Sequence, residues 1–157
     1  MTGWRLIGSI ACILAVVTVV GPGAALADKP TFERITIDES FPDEFLTEAC
    51  GVPVTTTAQG HVIIREFSGE GTGVAQLTTI NISLTAMAGD NTYSFRDVGA
   101  DLVRIEPDGT AILSIIGQVP FGFTGVLKID LETGEAILEP QHSTEGNVEV
   151  ACARLTN

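Results

Sequence analysis

Between Leu77 and Ala88 apolar and polar residues alternate, with Ile80, Ile82, Leu84 and Ala86 set against Thr79, Asn81, Ser83 and Thr85. Successive side chains of an extended chain point to opposite faces, so this pattern is a strand with one face in a core and the other in water. The same period returns in Gly125–Glu132, where Leu127, Ile129 and Leu131 oppose Lys128 and Asp130, and in Ala100–Glu106, where Val103 and Ile105 oppose Arg104 and Glu106. Ala111–Val119 is apolar at nearly every position and reads as a strand covered on both sides. Turn signals separate these runs: Gly69–Gly73, Gly89-Asp90-Asn91, Asp108-Gly109, Thr133-Gly134 and Glu145-Gly146-Asn147. Asp-Gly supplies the positive φ that tight hairpins require. The expected strands are 52–58, 61–67, 74–87, 92–98, 101–106, 110–119, 125–132 with 134–139, and 148–155. No connection is long enough for a crossover helix, so the strands should be antiparallel. The pattern predicts an all-β fold of about eight strands, an antiparallel up-and-down barrel or, alternatively, a two-sheet sandwich.

The first 27 residues differ from the rest. Arg5 precedes an apolar run, Leu6–Val20, which Gly21-Pro22-Gly23 breaks, and Ala25-Leu26-Ala27 has the small-x-small form of a cleavage site. This predicts a signal peptide over residues 1–27, cleaved after Ala27, and a secreted product. The alternative is a membrane anchor formed by residues 6–27, which carry no charge. Residues 28–49 then form an acidic lead-in, in which Phe32, Ile35 and Ile37 suit a short strand and Ser40–Leu46 suits one helical turn capped by Ser40. Residues 50–157 form the β domain.

Leader removal takes Cys12 with it and leaves Cys50 and Cys152. An even pair in an exported domain reads as a disulfide, here joining the start of the β domain to its end. A redox pair would want close spacing such as Cys-x-x-Cys. The leader also takes one basic residue and no acid, so the net charge goes from −12 for the chain to −13 for the product. That balance argues against nucleic acid and against an anionic membrane as partners, because both require Lys and Arg to neutralise phosphate.

Cys50-Gly51-Val52-Pro53-Val54, Pro107-Asp108-Gly109-Thr110, Phe123-Thr124-Gly125-Val126 and the closing Val150-Ala151-Cys152-Ala153-Arg154-Leu155 resemble a group of small exported actinobacterial β-proteins of unassigned function. The resemblance covers most of residues 45–155. It implies export and a disulfide-closed β domain, and it brings no catalytic residue to transfer. A lipocalin-like shape fits the strand pattern, although the Gly-x-Trp signature of lipocalins is missing because the lone Trp, Trp4, lies in the leader.

No catalytic constellation is visible. Ser68–Gly73 is glycine-rich, but a strand rather than a helix follows it and Glu70 would repel phosphate. His61 and His142 have no His or Cys at metal-ligand spacing, and no calcium loop occurs, so neither metal nor cofactor is expected. Asn81-Ile82-Ser83 matches a glycosylation sequon but falls within a strand. Gly117–Gly125 sets Phe121 and Phe123 in a Gly/Pro loop between strands, where a barrel mouth carries ligand contacts and where, equally, two rings can plug the end of a core. Three functional readings follow. The first is a non-catalytic binding module for a small apolar ligand or an extracellular protein, with Phe121 and Phe123 as the ligand-binding residues. The second is a structural or interaction protein of the cell envelope. The third is a barrel-type isomerase or carboxylate hydrolase, which would need a buried acid of raised pKa. The sequence sets no oligomeric state.

Overall fold

The computed structural model describes residues 29–68 and 73–157. The expected leader lies outside the described residues, as does most of the glycine-rich loop. The chain runs β1 (Thr31–Pro42), α1 (Glu44–Cys50), β2 (Thr55–Glu66), β3 (Val74–Ala88), β4 (Asn91–Ile105), β5 (Ala111–Val119), β6 (Phe123–Asp130), β7 (Ala136–Leu138), β8 (His142–Ser143) and α2 (Asn147–Leu155). The eight strands form one antiparallel sheet in the order β1-β2-β3-β4-β5-β6-β7, with β8 beside β6. The all-β antiparallel expectation holds. The sheet does not close: among the described residues β1 and β7 are its two edges.

The register settles which residues share a face. Ala86 of β3 lies between Thr56 of β2 and Tyr93 of β4, and Leu84 lies between Ala58 and Phe95. Odd residues of β4, β5 and β6 continue this face, through Asp101↔Ile115 and Ile115↔Leu127. Both helices pack on one end of it. Leu46 of α1 and Ala151 and Leu155 of α2 form the buried cluster with Val54, Ala86 and Ala88, and Cys50, Val52, Tyr93, Phe95 and Phe121 pack around them. Alanines at 86, 88 and 151 let the helix backbone approach the sheet, and Leu46, fully buried, contributes about 1.5–3 kcal/mol of apolar transfer. The expected Cys50–Cys152 disulfide is present and ties the last residue of α1 to α2.

Several boundaries differ from the sequence expectation. The acidic lead-in holds a strand and then a helix, as expected, but with other bounds. The strand is a full edge strand, β1, in register with β2 from Thr31↔Glu66 to Pro42↔Thr55. The helix starts later because Asp43 is the better cap. Its Oδ1 accepts from the Leu46 N–H at 2.9 Å, and its Oδ2 accepts from the Thr56 hydroxyl at 2.7 Å. The Thr47 hydroxyl accepts from the Val54 N–H at 3.0 Å, and Gly51 ends the helix at φ 70°. Thus α1 is a hydrogen-bonded excursion inside the β1–β2 connection.

Residues 148–155, expected as a strand, are instead helix α2. Val148 and Val150 alternate with Glu149 and Ala151, which imitates a strand. Ala151 and Leu155, four apart, are the residues that become buried. The Asn91 amide holds the helix end by donating to the carbonyls of Leu155 (3.2 Å) and Asn157 (2.7 Å). The expected pairs 52–58 with 61–67 and 92–98 with 101–106 are two continuous strands rather than four. The chain passes through Gly60 and Gly99 without leaving the sheet. At Gly60 a Cβ would strike the Asn81 carbonyl, and at Gly117, directly across from Gly99, it would strike the Val98 carbonyl. Glycine there permits a close backbone approach and a local bend in the strands.

Candidate functional site

Beyond the helices the same face continues as rows across the strands. One row is Ile37–Gly60–Ile82–Asp97. The next is Ile35–Val62–Ile80–Gly99–Gly117–Gly125, and the next is Glu33–Ile64–Thr78–Asp101–Ile115–Leu127. Farther on, Val103 lies beside Leu113 and Leu113 beside Ile129. None of these isoleucines, leucines and valines is fully buried, apart from edge residue Ile35 each is half-buried, and the buried cluster stops short of them. The face therefore has a helix-covered end and an apolar end without that cover.

A cluster of rings marks the border between the two ends. Phe121 lies 4.7 Å from Phe95, 5.8 Å from Phe45 and 6.4 Å from Tyr93, measured between ring centroids. Tyr93 and Phe95 stack at 5.9 Å. Phe121 has φ 57°, a conformation that a non-glycine residue with a bulky side chain rarely adopts. Two contacts hold the turn in this state: the Thr144 N–H donates to the Gly122 carbonyl at 3.0 Å, and the Thr144 hydroxyl donates to the Val119 carbonyl at 3.2 Å. The backbone strain at Phe121 is offset by seating its ring against the helix end of the face.

Asp97 and Asp101 stand just past this border, on either side of Gly99 and on the apolar face. Burial in apolar surroundings pushes the Asp97 carboxyl above its ordinary range, and the neighbouring Asp101 charge adds to the effect. Burial likewise raises Asp101. Asp108 behaves in the opposite way. It is fully exposed in the β4–β5 turn, where the backbone N–H of Thr110 donates to it at 3.0 Å and holds its carboxyl below the ordinary range. Asp108 is a turn residue and has no part in the face.

The two residues that the sequence singled out have different fates. Phe121 packs on the core cluster, and its ring contacts are with Phe45, Tyr93 and Phe95. Phe123 is half-buried in β6 opposite Val119, on the helix-bearing face. Three contributors to the site went unread in the sequence: Phe45, Asp97 and Asp101. A signal for the acids existed, since Asp97 and Asp101 share parity with Phe95 and Val103. Reading Gly99 as a strand break hid it.

His61 pairs with Asn81 on the opposite face, His142 sits in β8 beside Thr124, and Asn81 accepts a hydrogen bond from Arg96 at 3.1 Å. No group of three or more His, Cys, Asp or Glu residues able to hold a metal occurs among the described residues, and no helix there is long and apolar enough to cross a membrane. No protein-family description, curated protein or solved structure matches the chain.

Proposed function

We propose that the chain is an exported, non-catalytic binding module that takes an apolar ligand on the helix-bearing face of its sheet, beyond the two helices. One observation carries this reading: Ile80, Ile82, Leu113, Ile115, Leu127 and Ile129 share that face and remain half-buried, while the buried cluster is confined to the helix end. Contiguous apolar surface of this kind is kept where something binds. The Phe45–Phe121–Phe95–Tyr93 cluster forms the rigid wall at one end of the surface. Phe121 belongs to that wall, and Phe123 lies beside it on β6. Export rests on the leader sequence and agrees with the disulfide. A closed, lipocalin-like barrel would be one form of such a module, but the proposed face needs no closure.

Titration with Nile red, a neutral apolar probe, tests the reading. The protein should bind it saturably. Ile80→Thr with Ile115→Thr keeps β-branched side chains but removes apolar surface, and should weaken binding about tenfold, the equivalent of 1.4 kcal/mol. Ile116→Thr, on the opposite face, should leave binding unchanged. Non-saturable binding, or equal losses from the two faces, would count against the proposal.

One observation favours a second reading. Asp97 and Asp101 are the raised carboxyls that a barrel-type isomerase or a carboxylate hydrolase would use. The two stand on one face on either side of Gly99, close enough for the Asp101 charge to act on Asp97. Any activity that survives Asp97→Asn would dismiss this reading.

A further inference from the structure

The two edges of the sheet are treated differently. The β7 edge is three residues long and ends near Pro140. Short strands and proline are common ways to keep an edge from pairing. The β1 edge is twelve residues long, unbroken in its register with β2, and exposed at every position except Ile37. Its backbone offers a regular row of donors and acceptors, and it carries Phe32 at 62% exposure. Its protection is four charges, Glu33, Arg34, Asp38 and Glu39, and Pro42 at its last position.

Those charges are arranged with a self-complementary pattern. Two copies of β1 can pair antiparallel about a two-fold axis normal to the sheet, in which case residues facing each other share parity. With Thr36 on the axis, Arg34 faces Asp38 of the second copy and Asp38 faces Arg34, on the side away from the helices. Ile35 faces Ile37 on the helix side, and the ladder runs from Thr31↔Phe41 to Phe41↔Thr31. Sliding the pairing by one step of the pleat in either direction loses both ion pairs and sets Ile35 against Glu39 or Glu33 against Ile37. A further step stacks Arg34 on Arg34 or Asp38 on Asp38. Directly opposed unlike charges stabilise a strand pair and like charges oppose it, so Arg34 and Asp38 favour this register over its neighbours, with the Glu33–Glu39 contacts acting against them. Glu33 faces Glu39 twice in the same register, on the helix side and one rung outside each ion pair; these long, exposed side chains can turn apart into solvent, whereas Arg34 and Asp38 gain by turning together. Arg34 and Asp38 are also open to a partner. The ion pair among the described residues is Arg104–Glu106 at 3.4 Å, and Asp38 is engaged only by the Gln59 amide at 3.1 Å.

We propose that a second copy of this chain docks on the β1 edge, antiparallel with Thr36 on the two-fold axis, so that the two sheets continue into one.

The test uses the full chain expressed in an exporting host and purified as that host releases it, with sedimentation velocity followed from micromolar to millimolar concentration. The wild type should show a monomer–dimer equilibrium. Arg34→Asp and Asp38→Arg, each alone, should weaken the dimer about tenfold or more. An equimolar mixture of the two variants should restore it, because each then offers the other the complementary charges. Unchanged far-UV circular dichroism shows that these exposed substitutions leave the fold intact. A wild type that stays monomeric across the range overturns the proposal. So does a dimer that ignores both substitutions, or variants whose mixture does not recover.

Discussion

Cys50→Ser combined with Cys152→Ser removes the covalent tie between α1 and α2. The cross-linked residues are 102 positions apart. Closing a loop of that length in the unfolded chain corresponds to about 4.7 kcal/mol in the chain-entropy treatment. The folded state gives a second reason to expect a large effect. α1 has seven residues and α2 has nine, and helices this short do not persist without tertiary support. Their support is a small buried cluster in which Leu46 and Leu155 are the two large side chains. Typical domains have about 5–15 kcal/mol in total, so the bond supplies a major part of the stability. Urea denaturation of the oxidised protein and the double variant measures it. With a dependence of about 1–3 kcal/mol per molar urea, the midpoint should fall by about 1.5 M or more. A fall of less than about 0.5 M would refute the reasoning, and would mean that the unfolded chain is already compact or that the helices are held well enough by Asp43 and Asn91.

Three further outcomes follow from the geometry. Asp97 and Asp101 have raised carboxyl pKa values in the folded state, so between the ordinary carboxylate range and the raised one the folded protein binds more protons than the unfolded, and their contribution to stability falls as pH rises through that window. Asp97→Asn with Asp101→Asn should therefore melt higher than wild type at neutral pH, with the gap closing on acidification; a gap that widens toward acid would contradict the burial argument. Gly117→Ala combines φ 137° with a collision against the Val98 carbonyl and should cost about 1–3 kcal/mol, read from thermal unfolding; an unchanged melting temperature would show that the strands do not approach closely there. Phe121→Ala should cost about 2–4 kcal/mol, seen as a melting point lower by several degrees, because its ring packs on Phe95 and Phe45; an unaffected melting point would return Phe121 to the status of a free loop residue.

The sequence carried the sheet more clearly than the helices. Alternation in 74–87 and the apolar run in 110–119 matched the extents of β3 and β5 closely, but the expected cover on both sides of β5 is not found, since Ile116 is exposed. β1 was less legible. Its acids have weak strand propensity, and only its continuous pairing with β2 makes it a strand. α2 was misread because its valines fall at alternate positions, whereas the force acting on the segment is docking of Ala151 and Leu155 against the sheet. Gly60 and Gly99 looked like strand ends because glycine usually punctuates. Here they carry the strands through close approaches that only the assembled sheet reveals. The same misreading concealed Asp97 and Asp101. The disulfide was legible because two cysteines remain once the expected leader is set aside. Closure of the sheet depends on where its edges lie in space, which alternation alone does not encode.

The central claim is that the helix-bearing face beyond the ring cluster is a binding surface, and isoleucine methyl NMR tests it residue by residue. When Nile red is added, the methyl signals of Ile80, Ile82, Ile115 and Ile129 should shift together and saturate, while those of Ile63, Ile112 and Ile116, on the opposite face of the same sheet, should stay in place. Shifts confined to the opposite face, or no saturable shift on either, would contradict the account.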